Sequence, residues 1–126
     1  MNFLWVAIGG ILGSVCRYGV VLFISERQID PVLPYGTICV NILGCLAIGL
    51  LAGIDTFKHG MIRPELKLLL MVGFLGSFTT FASFGLEVVS LINSYRPIAA
   101  LLDVVIQLAV GLLAVTAGFW IARIIS

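Results

Sequence analysis

Four long apolar runs, roughly from Phe3 to Ile24, Leu33 to Ile54, Leu66 to Ile92 and Ile98 to Ile125, leave this chain few ways to fold. Each reaches or exceeds the ~20 residues that cross a hydrocarbon core of ~30 Å at ~1.5 Å per residue. The runs use nearly all of the 126 residues, 61% of which are hydrophobic and only 10% charged. A soluble domain of this size could not hide so much apolar surface. The expectation is an all-α membrane protein, with residues 1–126 forming a single domain of four transmembrane helices. No room is left for a catalytic module outside the bilayer, so no enzyme activity is expected. A net charge of +1 offers no basic patch, which excludes nucleic acid as a partner.

The third run departs from a plain lipid-facing helix. Residues Gly73 to Phe84 hold two glycines, four Ser or Thr hydroxyls and four phenylalanines in twelve positions. Glycine loosens the backbone, and Ser and Thr offer it competing hydrogen bonds, so a break or unwound turn is expected here. Within hydrocarbon such a break survives only where it is packed in protein or lines a polar cavity. Counted from Leu66, Gly73 and Gly76 fall about 15 Å along the helix, near the membrane midplane. The second half is expected to restart around Phe78 to Thr80 and to place Phe81, Phe84 and Glu87 along one face.

The other runs carry sparse polar residues at helical spacing. In the first, Gly9 and Gly13 form a small-xxx-small pair for close helix approach, and Arg17 lies one turn beyond. Arg17 either ties helix ends to carbonyls or serves as a vestibule charge for anions. In the second, Thr37, Asn41 and Gly44 share one stripe. Asn41 either bonds to a neighbouring helix or faces an aqueous path, and Gly49 and Gly53 supply a further packing pair. In the fourth, Asp103 is expected at the interface, while Gln107, lying deeper, needs an internal partner. Cys16, Cys39 and Cys45 have no CxxC pair and no neighbouring His and read as small packing residues. Arg17 and the lack of a basic start mark the first run as a permanent helix rather than a cleaved leader.

The connections read as short solvated turns, Ser25 to Pro34, about Asp55 to Glu65, and Asn93 to Pro97. His59, the only histidine, sits among loop charges with no second ligand nearby. Four spans put both termini and the second connection on one side, with Lys58, Arg63, Lys67 and Arg123 facing Arg27 and Arg96 on the other. So slight an asymmetry allows insertion in both directions. Repeated small-residue faces and the small interior of four helices predict a dimer.

Three ordered motifs carry a family resemblance. Gly9-Gly10-x-x-Gly13-x-x-x-Arg17-Tyr18, Gly36-Thr37-x-x-x-Asn41-x-x-Gly44 and the Gly73 to Phe84 stretch together resemble the small bacterial fluoride channels called Fluc or CrcB. The resemblance spans all four helices and implies an antiparallel, dual-topology homodimer that exports fluoride passively through two pores. It implies a third helix broken at the midplane, where backbone carbonyls, on matching positions those of Gly76 and Thr79, hold a structural sodium ion. Phe81 and Phe84 would be pore phenylalanines, Asn41 a pore amide, and Thr80 and Ser83 hydroxyl donors, with Arg17 and Glu87 as polar residues of the pore region. The implied partners are fluoride, a second copy of the chain and the lipid bilayer, and the implied location is the bacterial inner (plasma) membrane. Two positions depart from the family pattern: Ala82 stands where Ser is common, and Asp103 falls near the place of a tyrosine.

Fluoride is small and strongly hydrated, so a selective path must replace its water with close donors. Amide and hydroxyl protons can do this, as can the positive edge of a phenyl ring. A competing architecture, the small multidrug exporter, is also a four-helix dual-topology dimer, but it works through a carboxylate in the first helix. Here that helix has no Asp or Glu and carries Arg17. An assembly subunit would pass no ion at all.

Overall fold

The computed structural model describes residues 1–28 and 32–126. Part of the first expected turn, including the Asp30 charge, lies outside the described residues. Four helical segments are long and apolar enough to cross a membrane: Asn2–Ser25, Tyr35–Phe57, Pro64–Asn93 and Pro97–Ile125. We call the first two α1 and α2. The third is divided: α3 comprises Pro64–Lys67, a π-wound stretch Leu68–Leu75 and a last α-turn Gly76–Phe78, and α4 is Phe81–Asn93. The fourth, α5, comprises Pro97–Val105, a π-wound turn Ile106–Val110 and Gly111–Ile125. No strand occurs among the described residues.

Two backbone-to-backbone seams join these helices. α1 lies against α3, and α2 against the last part of α5. In the first seam a Cβ on Gly9 would run into the Leu69 carbonyl, and one on Gly13 into the Phe74 carbonyl. Gly73 answers from α3, where a Cβ would come within 2.6 Å of the Val6 carbonyl oxygen. In the second seam Gly49 faces the Val115 carbonyl and Gly118 faces the Leu46 carbonyl, while a Cβ on Gly53 would lie 2.5 Å from that of Ala122. Lipid tails are as apolar as the helix surfaces, so such close approach, rather than exclusion of water, is what holds the pairs together. The small-residue pairs read from the sequence therefore have identified partners.

The connections are shorter than expected. α2 continues to Phe57, which makes Asp55 helical, and its carboxylate pairs with Lys67 at 2.6 Å across the turn. This pair is partly exposed and contributes about 1 kcal/mol or less. His59 and Gly60 both take positive φ, 51° and 78°, and the Gly60 amide returns to the Asp55 carbonyl at 2.7 Å. His59 is thus part of a left-handed helix stop. Cys16 faces outward, whereas Cys39 and Cys45 are partly covered.

Candidate ion site at the interruption of the third span

About midway along Pro64–Asn93 the helix stops, and two residues run extended. Thr79 has φ −87° and ψ 160°, Thr80 has φ −151° and ψ 116°, and helical winding resumes at Phe81. The restart is therefore later than the expected Phe78 to Thr80. Its reason is local: Thr80 is the N-cap of α4, its Oγ1 accepting from the Ser83 amide at 3.2 Å and donating to Ser83 Oγ at 3.0 Å. An N-cap takes β-region dihedrals, so capping and interruption are one event.

An interruption among apolar helices exposes backbone groups that must find partners. Asn41 supplies them from α2. Its Oδ1 accepts from the Thr80 amide at 2.8 Å, and its Nδ2 donates to the Thr80 carbonyl at 3.1 Å. The second Nδ2 proton goes to Gln107 Oε1 at 2.6 Å, and Gln107 Nε2 donates to Asp103 Oδ1 at 2.9 Å. Of the two roles open for Asn41, bonding to neighbours is the one observed, although its side chain also borders a cleft. Asp103 is 0% exposed, buried between helices. The i,i+4 spacing of Thr37 with Asn41 and of Asp103 with Gln107 was the available sign that two polar faces meet.

Carbonyls near the interruption differ in their state. The Thr80 amide that would continue the helix onto the Gly76 carbonyl is engaged by Asn41, so this carbonyl has lost that helical partner. The Thr79 carbonyl receives Arg17 Nη1 from α1 at a long 3.4 Å. Arg17 thus reaches a helix-end carbonyl, the first of its two anticipated roles. The Thr79 and Ser77 hydroxyls turn back onto the Leu75 and Gly73 carbonyls at 2.9 and 2.8 Å. Gly44 makes space for Thr79, since a Cβ there would collide with Thr79 Cγ2.

A cleft of about 360 Å³ opens beside the interruption. Asn41, Gly76, Thr79, Thr80, Phe81, Phe84 and Gln107 all border it. The Phe81 and Phe84 rings lie 5.5 Å apart at 57°, but they are placed differently: Phe84 is 8% exposed and Phe81 79%. Ser83 adjoins through its bond with Thr80. Glu87 stands apart from the cleft, accepting a 2.5 Å hydrogen bond from Thr37 Oγ1. The stripe Phe81, Phe84, Glu87 is therefore one helix face with three surroundings.

Gly76 and Thr79 offer the hard, neutral oxygens that an alkali cation takes, and the lost helical partner at Gly76 agrees with such a role. Arg17 already leans on one of them, the Thr79 carbonyl.

The sequence profile of the CrcB-like family, described as Camphor Resistance (CrcB), matches residues 4–119. The chain belongs to the CrcB family. Among its relatives, a protein of Hyphomonas neptunium is 42% identical over 122 residues, covering 97% of this chain and 95% of the relative. One from Rhizobium etli is 41% identical over 120 residues, covering 95% and 94%. One from Maridesulfovibrio salexigens is 36% identical over 124 residues, covering 98% and 97%. Each is named Fluoride-specific ion channel FluC. Four apolar spans and this kinship make the CrcB chain a multi-pass membrane protein.

Proposed function

We propose that this CrcB chain is a fluoride-selective channel, not an enzyme, through which cytoplasmic fluoride leaves passively across the bacterial plasma membrane. Its working form is an antiparallel homodimer with two pores and one structural sodium ion. The observation that carries the reading is the extended Thr79–Thr80 step, bridged by Asn41 and bordered by the Phe81 and Phe84 rings. Relatives that cover nearly the whole chain and bear the fluoride-channel name support it.

Each residue has a task in this reading. Asn41 neutralises the backbone groups freed at Thr80, so the interruption persists without a large desolvation cost. The Ser83 hydroxyl proton is not committed to a partner within the described residues, and it is a donor an anion can use as it sheds water. Phe81 and Phe84 present positive ring edges in a passage too apolar for most ions. Arg17 adds a fixed positive charge at the Thr79 side of the interruption.

The Gly76 and Thr79 carbonyls of each copy would hold the sodium ion. When bound, that ion supplies a central positive charge that favours a nearby anion. The near balance of Lys and Arg on the two sides supports insertion in both orientations. The 79% exposure of the Phe81 ring in a lone chain, beside an open cleft, supports a second copy as its cover.

The deciding test uses the purified chain reconstituted in liposomes. Fluoride efflux without comparable chloride efflux is expected, and equal efflux of both ions would overturn the assignment.

A further inference from the structure

Among the described residues, Glu87 of α4 and Asp103 of α5 carry carboxyl groups that have no countercharge. The one ion pair among the described residues is that of Lys67 with Asp55, between the start of α3 and the end of α2. Asp103 Oδ1 receives Gln107 Nε2, and Glu87 Oε1 receives Thr37 Oγ1. Their second oxygens, Asp103 Oδ2 and Glu87 Oε2, are buried with no hydrogen-bond partner. α4, which carries Glu87, packs on the first part of α5, which carries Asp103.

The hydrogen bonds between the interruption and Asp103 form a continuous line, in which Asn41 both accepts from and donates to Thr80. Thr80 N–H donates to Asn41, Asn41 to Gln107, and Gln107 to Asp103. The line ends on an acceptor whose other oxygen has nothing to accept. Two ionised carboxylates on packed helices, each with a buried oxygen lacking a partner and without a cation, would each bear a desolvation cost of several kcal/mol together with mutual repulsion. One proton relieves both difficulties, because it removes a charge and converts one bare acceptor into a donor. A metal ion fits less well: no group of three or more His, Cys, Asp or Glu placed to hold one occurs among the described residues.

The other groups nearby do not alter this balance. α2 contributes Asn41 to the line and Thr37 to Glu87, with Tyr35, Cys39 and Cys45 as its titratable neighbours, Cys45 bordering the same cleft as Asn41 and Gln107. Tyr95 and Arg96, just before α5, are exposed, and Arg96 makes no ion pair with either carboxyl. Arg17 is turned to Thr79 on the other side of the interruption.

We propose that Asp103 and Glu87 together bind one exchangeable proton, and that this site, joined to Thr80 through Gln107 and Asn41, makes anion passage depend on pH. With the proton in place the line is complete and the pair carries a single negative charge. When bulk base takes the proton, two carboxylates remain, the Gln107–Asn41 line is pulled toward Asp103, and an anion meets added repulsion. This second step rests on the fluoride-channel reading, whereas the proton site itself does not.

Two measurements on the reconstituted protein separate these claims. Infrared difference spectra of the wild type are expected to show the carbonyl band of a protonated carboxylic acid, shifted in D2O, bleached at alkaline pH and missing in Asp103→Asn. Fluoride efflux, measured from neutral to alkaline pH with protein-free liposomes subtracted, is expected to fall about tenfold per pH unit beyond the midpoint in the wild type. The asparagine amide is a permanent donor at Oδ2's place, so Asp103→Asn should flatten this profile. A wild type with no such band overturns the proton site even if Asp103→Asn fails to fold. A band combined with identical pH profiles for the two proteins overturns the link to ion passage. No fluoride efflux at any pH, with the band present, would instead refute the channel reading and leave the proton site standing.

Discussion

Asn41 and Thr80 are joined by a two-way bond: the amide of Thr80 donates to Asn41 Oδ1 at 2.8 Å, and Asn41 Nδ2 donates to the Thr80 carbonyl at 3.1 Å. A side-chain amide has the same donor and acceptor pair as a peptide group, so it replaces the helical neighbours that Thr80 lacks. Since the remaining Nδ2 proton goes to Gln107, Asn41 has both protons committed and can meet an ion only by releasing one.

Asn41→Asp should test this arrangement severely. An oxygen would replace the nitrogen that faces two acceptors, Thr80 O and Gln107 Oε1, turning two attractions into repulsions. Loss of fluoride efflux is expected, with a fall in stability of about 2 to 4 kcal/mol, read from unfolding in detergent. Unaltered stability would show that the two-way bond does not hold the interruption.

The two phenylalanines should separate by their exposure. Phe81→Ile is expected to reduce fluoride efflux while leaving the packing of the single chain intact. Phe84→Ile should reduce efflux and also cost about 1 to 3 kcal/mol, because its ring is enclosed. Efflux and thermal melts of both variants provide the comparison.

Removing the α4 cap has a defined cost. Thr80→Val keeps the shape but loses the hydroxyl that meets the Ser83 amide and Oγ, and about 1 kcal/mol of stability should go with it. Thr80→Ser should restore most of the loss. Circular dichroism melts of the three proteins would reveal the order.

Two glycines make a matched pair of opposites. Gly44→Ala drives a methyl into Thr79 Cγ2 and should lower both stability and fluoride efflux. Gly85→Ala meets nothing within 4 Å and lies inside α4, so it should raise the stability of the chain by about 0.5 to 1 kcal/mol. The sign of the change in melting temperature checks each.

Assembly has its own readout. Crosslinking in native membranes should give a band at twice the mass of the chain, and a protein that remains wholly monomeric there would count against the dimer.

Much of this architecture could be read from residue order. The spans follow from four apolar runs, and the seams from Gly9, Gly13, Gly49 and Gly53, because each depends on local spacing along one helix. The interruption was signalled by glycines and hydroxyls crowded within one run. What escaped notice depends on contacts between helices. The pairing of Asn41 with Thr80 links residues 39 positions apart. Asp103 lies near a helix start, and its complete burial, with α4 packed on that part of α5, has no sign in its own surroundings in the sequence. The π-wound stretches Leu68–Leu75 and Ile106–Val110 have no counterpart in the sequence reading.

The glycine seams also govern how this chain can be assembled. With Gly49 and Gly118 each seated on the opposing main chain, α2 cannot slide along α5 without driving carbonyls into one another. The depth of Asn41 relative to Gln107 is therefore fixed by the same seam, like a ratchet dropped into its tooth.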